Sequence, residues 1–364
     1  MKAPVRTWLK FNLVGLDPRK CAQSQTAPTV GNLGVLVLAL ALPMPALYED
    51  KVADGLIRSA TETTYMLHLS DARAATRELQ RRYPSHPAGF LIEAETYWWE
   101  AQEDPGNKNI ENRYYHTQKL AREKAELAIK EAKYYKPELL AYLASAYGSY
   151  ARFQVTQKDA YFAALRAGLR AHEYAEQTYA LDDKYYDIWV GLGAFNYFTG
   201  TLPDVIKPFA WLLGAKGDKN VGVHQLRTAS EKSRYSRTEA HIVYYSALLS
   251  NKEYAAAFPI LEGLIASYPD NFVLYDWAEL WFHEQNKTAE GVDYFERMYE
   301  KQLKRAPLLA QYALLEEAVL QVNAALKQSA IETLQRIDAL PFSDALLSKK
   351  ISALTKISSK RLAH

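Results

Sequence analysis

The chain of 364 residues has little of what marks several common protein classes. It contains one cysteine, Cys21, so no disulfide can form within the chain and the redox compartment cannot be inferred from cysteine pairing. Cys21 follows Arg19 and Lys20 rather than an apolar run ending in small residues, which argues against a lipoprotein attachment site. The net charge is only +2 and no dense basic stripe is present, so nucleic acid is not an expected partner.

Motifs of catalysis and metal binding are also absent. His283-Glu284 lacks the second histidine of a zinc-protease helix, and the eight histidines are scattered, so no metal site is expected. No G-x-S-x-G motif occurs. The stretch Gly214–Gly222 lacks the Gly-Lys-Ser/Thr ending of a phosphate loop, and we interpret it as a turn with Asp218 as N-cap of the next helix. We therefore expect a non-enzymatic protein with no catalytic residues and no cofactor.

The N-terminal region lacks an apolar run long enough to span a membrane. The run from Val35 to Leu42 is well short of the roughly 20 residues that a bilayer needs, but it fits the apolar core of a signal peptide. Ala39-Leu40-Ala41 offers a small-x-small cleavage pattern. A leader of about 30 residues before such a core is unusual, and a start codon assigned too far upstream would explain it. We set residues 1–47 aside as a leader and predict an exported, periplasmic or membrane-associated protein, with a cytoplasmic protein as the alternative.

What the sequence does contain is a repeated pair of helices. Helical segments rich in Ala, Leu and Tyr end in similar punctuation at Tyr83-Pro84, Tyr135-Lys136-Pro137 and Tyr268-Pro269. Proline and glycine cluster at such boundaries, because either is costly inside a helix. A period of roughly 34 residues is typical of a helix–turn–helix solenoid. We predict an all-α fold: a right-handed superhelical solenoid of about seven antiparallel helix pairs.

The predicted helix pairs cover the chain up to a short C-terminal cap. They run over residues 54–69 with 71–83, 90–102 with 112–135, 138–154 with 159–181, 185–198 with 220–232, 238–249 with 253–268, 272–283 with 289–304, and 308–326 with 329–337. We therefore predict a repeat domain over residues 48–340 with an insertion at 201–217. Residues 341–364 are predicted to form a solvated cap helix and a basic tail.

One segment resembles a known repeat family. Trp189-Val190-Gly191-Leu192-Gly193 matches the W-x2-L-G pattern of tetratricopeptide repeats, and Ala257, Leu261 and Pro269 occupy the small, bulky and proline positions in the fifth pair. The chain therefore resembles tetratricopeptide repeat proteins over roughly residues 54–340. This resemblance implies that the first helix of each pair lines the concave inner surface.

A narrower resemblance covers residues 189–222. It rests on Gly-Ala-Phe-Asn at 193–196, Leu-Pro at 202–203, and Gly-Asp at 217–218 followed by Gly222. This run resembles the central stretch of the tetratricopeptide repeat protein 39 family, which includes the yeast inclusion-body clearance protein of the mitochondrial surface. The predicted export signal departs from that family. The resemblance implies a helical-repeat adaptor with no known catalysis.

The insertion at 201–217 is strongly apolar, with Val205, Ile206, Phe209 and Trp211 in it. Two interpretations are open. Its short helix could pack into the groove and plug it. Alternatively, it could be a lid or an exposed element that binds a membrane or a partner, as insertions on one face of a solenoid often do.

Tyrosine is unusually frequent, with 26 residues. Tyrosine and tryptophan suit binding surfaces, although any single ring can equally fill a contact between helices. The predicted binding residues, on the first helices of the pairs and on the insertion, are Tyr97, Trp98, Trp99, Tyr147, Tyr150, Tyr197, Trp211, Trp277 and Trp281.

We therefore expect a non-catalytic scaffold or adaptor that binds a protein or peptide through an aromatic-rich concave groove. Arg113, Arg152 and Arg234 could contact carboxylates of that partner. The main alternative is a carrier or sensor that binds a lipid or small hydrophobic ligand, gated by the insertion, with a lipid or membrane surface as partner. A third alternative, an enzyme with an unrecognised site, would need a tight cluster of titratable groups in a pocket. The oligomeric state stays open.

Overall fold

The computed structural model describes residues 45–202, 211–212, 214–340, 347–352 and 354. Within these ranges every regular element is a helix, which confirms the predicted all-α class. Short 3-10 turns lie at Leu47–Glu49 and Tyr186–Ile188. The α-helices, in chain order, are α1 Lys51–Tyr65, α2 Leu69–Arg82, α3 Ala88–Glu103, α4 Lys108–Lys130, α5 Lys136–Lys158, α6 Tyr161–Leu181, α7 Trp189–Gly200, α8 Lys219–Lys232, α9 Arg237–Ser250, α10 Tyr254–Ser267, α11 Val273–Glu284, α12 Thr288–Leu303, α13 Pro307–Asn323 and α14 Lys327–Asp338.

Helices that follow one another in the chain pack against one another, as the pairing predicts. Their bounds lie within a few residues of the predicted ones, and the fourth pair starts later because Tyr186–Ile188 form a 3-10 turn before α7. Three predictions lie wholly or partly outside the described residues. These are the leader over 1–44, most of the insertion (203–210 and 213), and the tail at 341–346, 353 and 355–364.

Local chemistry sets the helix boundaries. Asp50, Asn107 and Asp218 cap the N-termini of α1, α4 and α8, and the side chain of each accepts two backbone N–H groups. Asp218 is thus the N-cap that the sequence predicted. Tyr83 and Tyr268, each followed by proline, end α2 and α10 with nearly the same backbone angles, φ −126° with ψ 62° or 64°. The third predicted stop differs, because α4 ends at Lys130 and Tyr135 is instead the N-cap of α5.

One turn geometry recurs between the two helices of several pairs. Leu67, Lys252, Asn286 and Ala325 have φ between 55° and 62°, and each follows the first helix of its pair. The N–H of the next residue donates to a carbonyl five residues earlier, which closes the end of that helix. The turn thus repeats between α1 and α2, α9 and α10, α11 and α12, and α13 and α14.

Helices α7 and α8 cross with their backbones in contact. A Cβ at Gly222 would lie 2.4 Å from the backbone nitrogen of Tyr197 and 2.8 Å from the carbonyl oxygen of Gly193. At Gly193, a Cβ would lie 2.8 Å from Cγ of Leu226. Only glycine leaves the space for this crossing. The last glycine of the W-x2-L-G match therefore has a packing role.

The first helix contacts segments that lie far along the chain. Asp54 accepts hydrogen bonds from the Tyr235 hydroxyl at 2.6 Å and from Arg234 Nε at 3.1 Å. The buried Asn271 side chain donates from Nδ2 to the carbonyl of Tyr65 at 2.8 Å. These contacts join α1 to the segment before α9 and to the segment between α10 and α11. The helices from α1 to α9 therefore enclose a space.

The C-terminal segment differs from its prediction at one residue. Lys350, in the helical stretch 347–352, is only 9% exposed. Its Nζ lies 3.6 Å from Asp276 Oδ1, 5.3 Å from the ring centroid of Phe272 and 5.5 Å from that of Tyr312. The cap was predicted to be solvated, but this lysine is buried because an acidic group and two ring faces receive its charge.

Candidate functional site

A cavity of about 360 Å³ lies within the space that the helices enclose. Helices α1, α3, α5, α7 and α9 line it, together with α6. Apolar side chains form most of the wall, among them Ile57, Leu91, Val155, Phe195 and Val243. The helices that line the cavity are thus mainly the first helices of successive pairs.

Glycines widen one side of this cavity. Gly148, Gly168 and Gly191 lie in α5, α6 and α7 and line it. A Cβ at Gly168 or Gly191 would meet no atom within 4 Å, and at Gly148 the nearest atom would lie at 4.0 Å. Glycine inside a helix costs about 1 kcal/mol relative to alanine. Packing does not require glycine at these three positions, in contrast to Gly193 and Gly222, so their effect is to leave room in the cavity.

A group of partly buried, ion-paired side chains provides the polar part of the wall. The Arg152 guanidinium pairs with Glu95 through one terminal nitrogen and with Glu239 through the other. Ser149 Oγ donates to the second oxygen of Glu95, and the Tyr65 hydroxyl donates to Glu239 at 3.3 Å. We define Glu95, Arg152 and Glu239 as the ionic cluster. Helices α3, α5 and α9 each supply one member.

Two carboxylates therefore share one guanidinium. Burial alone would lower the pKa of Arg152, but the charges of Glu239 and Glu95 more than offset this and raise it. The pKa of Glu239 is raised by burial and by the nearby Glu95, against the opposing effect of Arg152. With all three groups ionised, the ionic cluster has a formal charge of −1.

A third carboxylate, Asp187, also lines the cavity. Its Oδ1 accepts hydrogen bonds from the backbone N–H groups of Tyr235 at 2.8 Å and Ser236 at 2.7 Å. Asp187 therefore anchors the segment that leads into α9 and so holds Glu239 in place. Together with the ionic cluster it brings the formal charge of the described part of the cavity wall to −2.

The structure places most of the predicted aromatic binding residues in the core. Tyr97, Trp98, Tyr197, Trp277 and Trp281 are all buried. The guanidinium of the ionic cluster lies 4.0 Å from the ring centroid of Trp98. Trp277 stacks on a tyrosine at 5.9 Å, and Trp281 stacks on a phenylalanine at 4.2 Å. These rings hold helices together instead of presenting faces to an open groove.

The other predicted aromatic residues have different environments. Tyr147 and Tyr150 are half-buried, and the guanidinium of Arg122 lies 5.4 and 5.5 Å from their ring centroids. Trp211 is 52% exposed, beside the part of the insertion that lies outside the described residues. Of the nine predicted residues, all within the described ranges, Trp99 alone lines the cavity. A role in binding stays a prediction for the others.

Two of the three arginines expected to meet a partner's carboxylates pair within the chain. Arg152 is held in the ionic cluster, and Arg234 pairs with Asp54 at 3.0 Å. Arg113 lies exposed on α4.

The sequence analysis missed the glycines at the wall and both glutamates of the ionic cluster. A glycine in mid-helix and away from any turn, such as Gly168, was a signal that could have been used. The glutamates gave no local signal, because Glu95 and Glu239 lie 57 and 87 residues from Arg152 in the chain.

No protein-family model matches this chain, and no curated protein matches it significantly. Among the described residues, no helix combines the length and apolar character needed to cross a bilayer. The same part of the chain holds no group of three or more His, Cys, Asp or Glu side chains placed to bind a metal ion. The cavity and its ionic cluster are therefore argued from their own geometry.

Proposed function

We propose that the protein is a carrier or sensor that binds an elongated apolar small molecule, such as a lipid with one acyl chain, inside the cavity. The observation that carries this proposal is a mainly apolar cavity of about 360 Å³ enclosed by six helices. Sites for small molecules are typically concave and apolar with a few polar groups, with volumes of roughly 300–1,000 Å³. The sequence suggested this carrier or sensor as the main alternative to a peptide-binding scaffold. Gating by the insertion stays a prediction, because most of that segment lies outside the described residues.

The energetics of an acyl chain fit such a site. Burying one methylene group contributes about 0.8 kcal/mol, so about ten methylenes contribute roughly 8 kcal/mol. Association costs about 4 kcal/mol or more in lost freedom of motion. The remaining roughly 4 kcal/mol corresponds to binding in the millimolar range from contacts with the apolar wall alone, and polar contacts at one end would tighten it.

The proposal includes the arrangement of the helix pairs. We infer a right-handed superhelical solenoid of about seven tetratricopeptide-like pairs. The recurring turn after the first helices supports it, as do the glycine crossing of α7 and α8 and the lining of the inner space by first helices. Kinship with the tetratricopeptide repeat protein 39 family, export or membrane association, and the absence of catalysis stay predictions.

Binding of a protein or peptide through an aromatic groove has less support. Six of the nine aromatic residues expected there are buried in contacts within the chain. A peptide inside the cavity would also bring amide groups that need hydrogen-bond partners. The wall offers mostly apolar side chains outside the ionic cluster and a few hydroxyls. An apolar small molecule meets neither difficulty.

Filling the cavity tests the proposal. Gly168→Leu places a side chain into the cavity from the middle of α6, at a position where a Cβ meets no atom within 4 Å. We expect it to weaken binding of Nile red, a neutral apolar dye, at least about tenfold, because the ligand and the new side chain compete for one volume. Titration followed by dye fluorescence measures the dissociation constant.

Gly263→Leu is the matched control. Gly263 is exposed in the middle of α10, and a Cβ there also meets no atom within 4 Å, but it does not line the cavity. Both variants gain helix propensity, so neither is expected to lose stability. Nile red should bind the unmodified protein and the control equally. No saturable binding, or equal binding by all three proteins, would contradict the proposed function.

A further inference from the structure

We propose that the cavity selects an apolar ligand that ends in a protonated amine, with Glu95 and Glu239 as the groups that receive it. This inference rests on the proposed function, since it names the class of ligand for the same cavity. Two observations support it: the excess of negative charge among the described residues of the wall, and the greater exposure of the two glutamates compared with Arg152.

The cavity wall has an excess of negative charge. Among the described residues, three carboxylates and one guanidinium line it, so the formal charge of this part of the wall is −2. Asp187 has two backbone N–H donors on one oxygen, which stabilise its charge. The glutamates of the ionic cluster have only one guanidinium between them. A single positive charge beside them would balance the cluster, and that attraction is stronger between partly buried groups than in bulk water.

The glutamates face the cavity more than the arginine does. About a quarter of each glutamate side chain is accessible, 25% in both cases, against 10% for Arg152. A ligand in the cavity therefore meets carboxylate oxygens. Each of the four oxygens has one partner, and the hydroxyl of Tyr65 lies at a long 3.3 Å from Glu239. A carboxylate oxygen can accept a second hydrogen bond, so an ammonium group has acceptors available.

The same arrangement disfavours a ligand that ends in a carboxylate. Both terminal nitrogens of Arg152 already hold a glutamate, and its Nε is buried. A fatty-acid anion would thus meet like charges without an accessible guanidinium donor. An alkyl alcohol lies between the two cases, because its hydroxyl can donate to a carboxylate without a charge.

Three ligands with the same ten-carbon chain test this selection in the full-length protein. Decylammonium, decanol and decanoate are titrated at neutral pH with isothermal titration calorimetry. The two ions are kept below their micelle-forming concentrations, and decanol is kept below its solubility limit. We expect decylammonium to bind at least about tenfold more tightly than decanol, because its hydrogen bond to a carboxylate also joins two opposite charges. Decanoate should bind most weakly, because its charge has the same sign as the glutamates.

Two variants test whether the ionic cluster causes the preference for decylammonium. Glu239→Gln keeps the shape and leaves Arg152 paired with Glu95, so the fold is expected to persist. It should reduce the preference for decylammonium over decanol at least about fivefold. Glu300→Gln, which removes an exposed carboxylate on α12, should leave the preference unchanged. Gly168→Leu should abolish binding of all three ligands.

The outcomes separate this inference from the proposed function. Binding of decanol or decanoate at least as tight as that of decylammonium would overturn the amine selection and leave the apolar site standing. An amine that still binds to Gly168→Leu, or whose preference survives Glu239→Gln in a folded variant, would overturn it too. Failure of all three ligands to bind would instead overturn the proposed function itself.

Discussion

Replacing Glu138 by glutamine is expected to stabilise the protein above neutral pH. Glu138 is fully buried at the start of α5, and its Oε2 accepts the N–H of Leu47 at 2.7 Å. The neighbouring His86 is also buried, with Nε2 3.9 Å from that oxygen. Burial raises the pKa of Glu138 from 4.5 to about 7 and lowers the pKa of His86 from 6.5 to about 3. Both side chains therefore prefer to be neutral in the folded protein.

The sign of the effect follows from proton binding. Between pH 4.5 and about 7 the folded state holds a proton on Glu138 that the unfolded state has lost, so stability falls as the pH rises. At 1.36 kcal/mol per pKa unit, the full loss is about 3 kcal/mol and is complete above pH 7. His86 acts in the opposite direction between about pH 3 and 6.5, and this contribution is the same with or without the variant.

Glutamine is neutral at every pH and can still accept the Leu47 N–H through its amide oxygen. Glu138→Gln should therefore exceed the unfolding free energy of the unmodified protein by less than about 1 kcal/mol at pH 5 and by about 3 kcal/mol at pH 8. Urea denaturation at both pH values, followed by circular dichroism, measures the difference, with Glu300→Gln as an exposed control. A difference that does not grow between pH 5 and 8 would refute the reasoning.

Two further predictions concern the contacts that shape the cavity. Gly222→Ala should destabilise the protein by about 1–3 kcal/mol in urea denaturation, because its Cβ would lie 2.4 Å from the backbone of α7. The same change at the exposed Gly263 should be neutral or stabilising, and equal costs at the two sites would contradict the packing role. Asn271→Ala should cost about 1–3 kcal/mol, since it removes the donor to the carbonyl of Tyr65. If the urea midpoint of Asn271→Ala equals that of the unmodified protein, the contact between Asn271 and Tyr65 does not hold α1 in place.

Two glycines of α7, two residues apart, have different roles: one lines the cavity and the other allows close packing against α8. Gly191 faces open cavity space, while Gly193 faces α8 at a distance that excludes a side chain. Successive residues of an α-helix point about 100° apart, so positions i and i+2 lie on nearly opposite sides. The first position leaves room for a ligand and the second allows the helix crossing that holds the wall in place.

Helix bounds were predictable because their signals are local. The Asp218 cap and the turns after Tyr83 and Tyr268 depend on residues within one or two turns of the boundary. The buried faces were harder to predict. Thr96, Tyr97, Trp98 and Trp99 are consecutive and so span about 300° around α3, and yet all four are buried. A helix with neighbours on several sides has no single apolar face for a sequence pattern to reveal.

The sequence by itself determined an all-helical chain of consecutive pairs, because capping, helix propensity and apolar periodicity act over a few residues. Tertiary structure alone decided where the chain encloses space. Glu95, Arg152 and Glu239 come from three helices and meet only because α1 closes against the segments around Tyr235 and Asn271. Contacts between residues 57 to 206 positions apart depend on the positions of all the intervening helices, which no local pattern records.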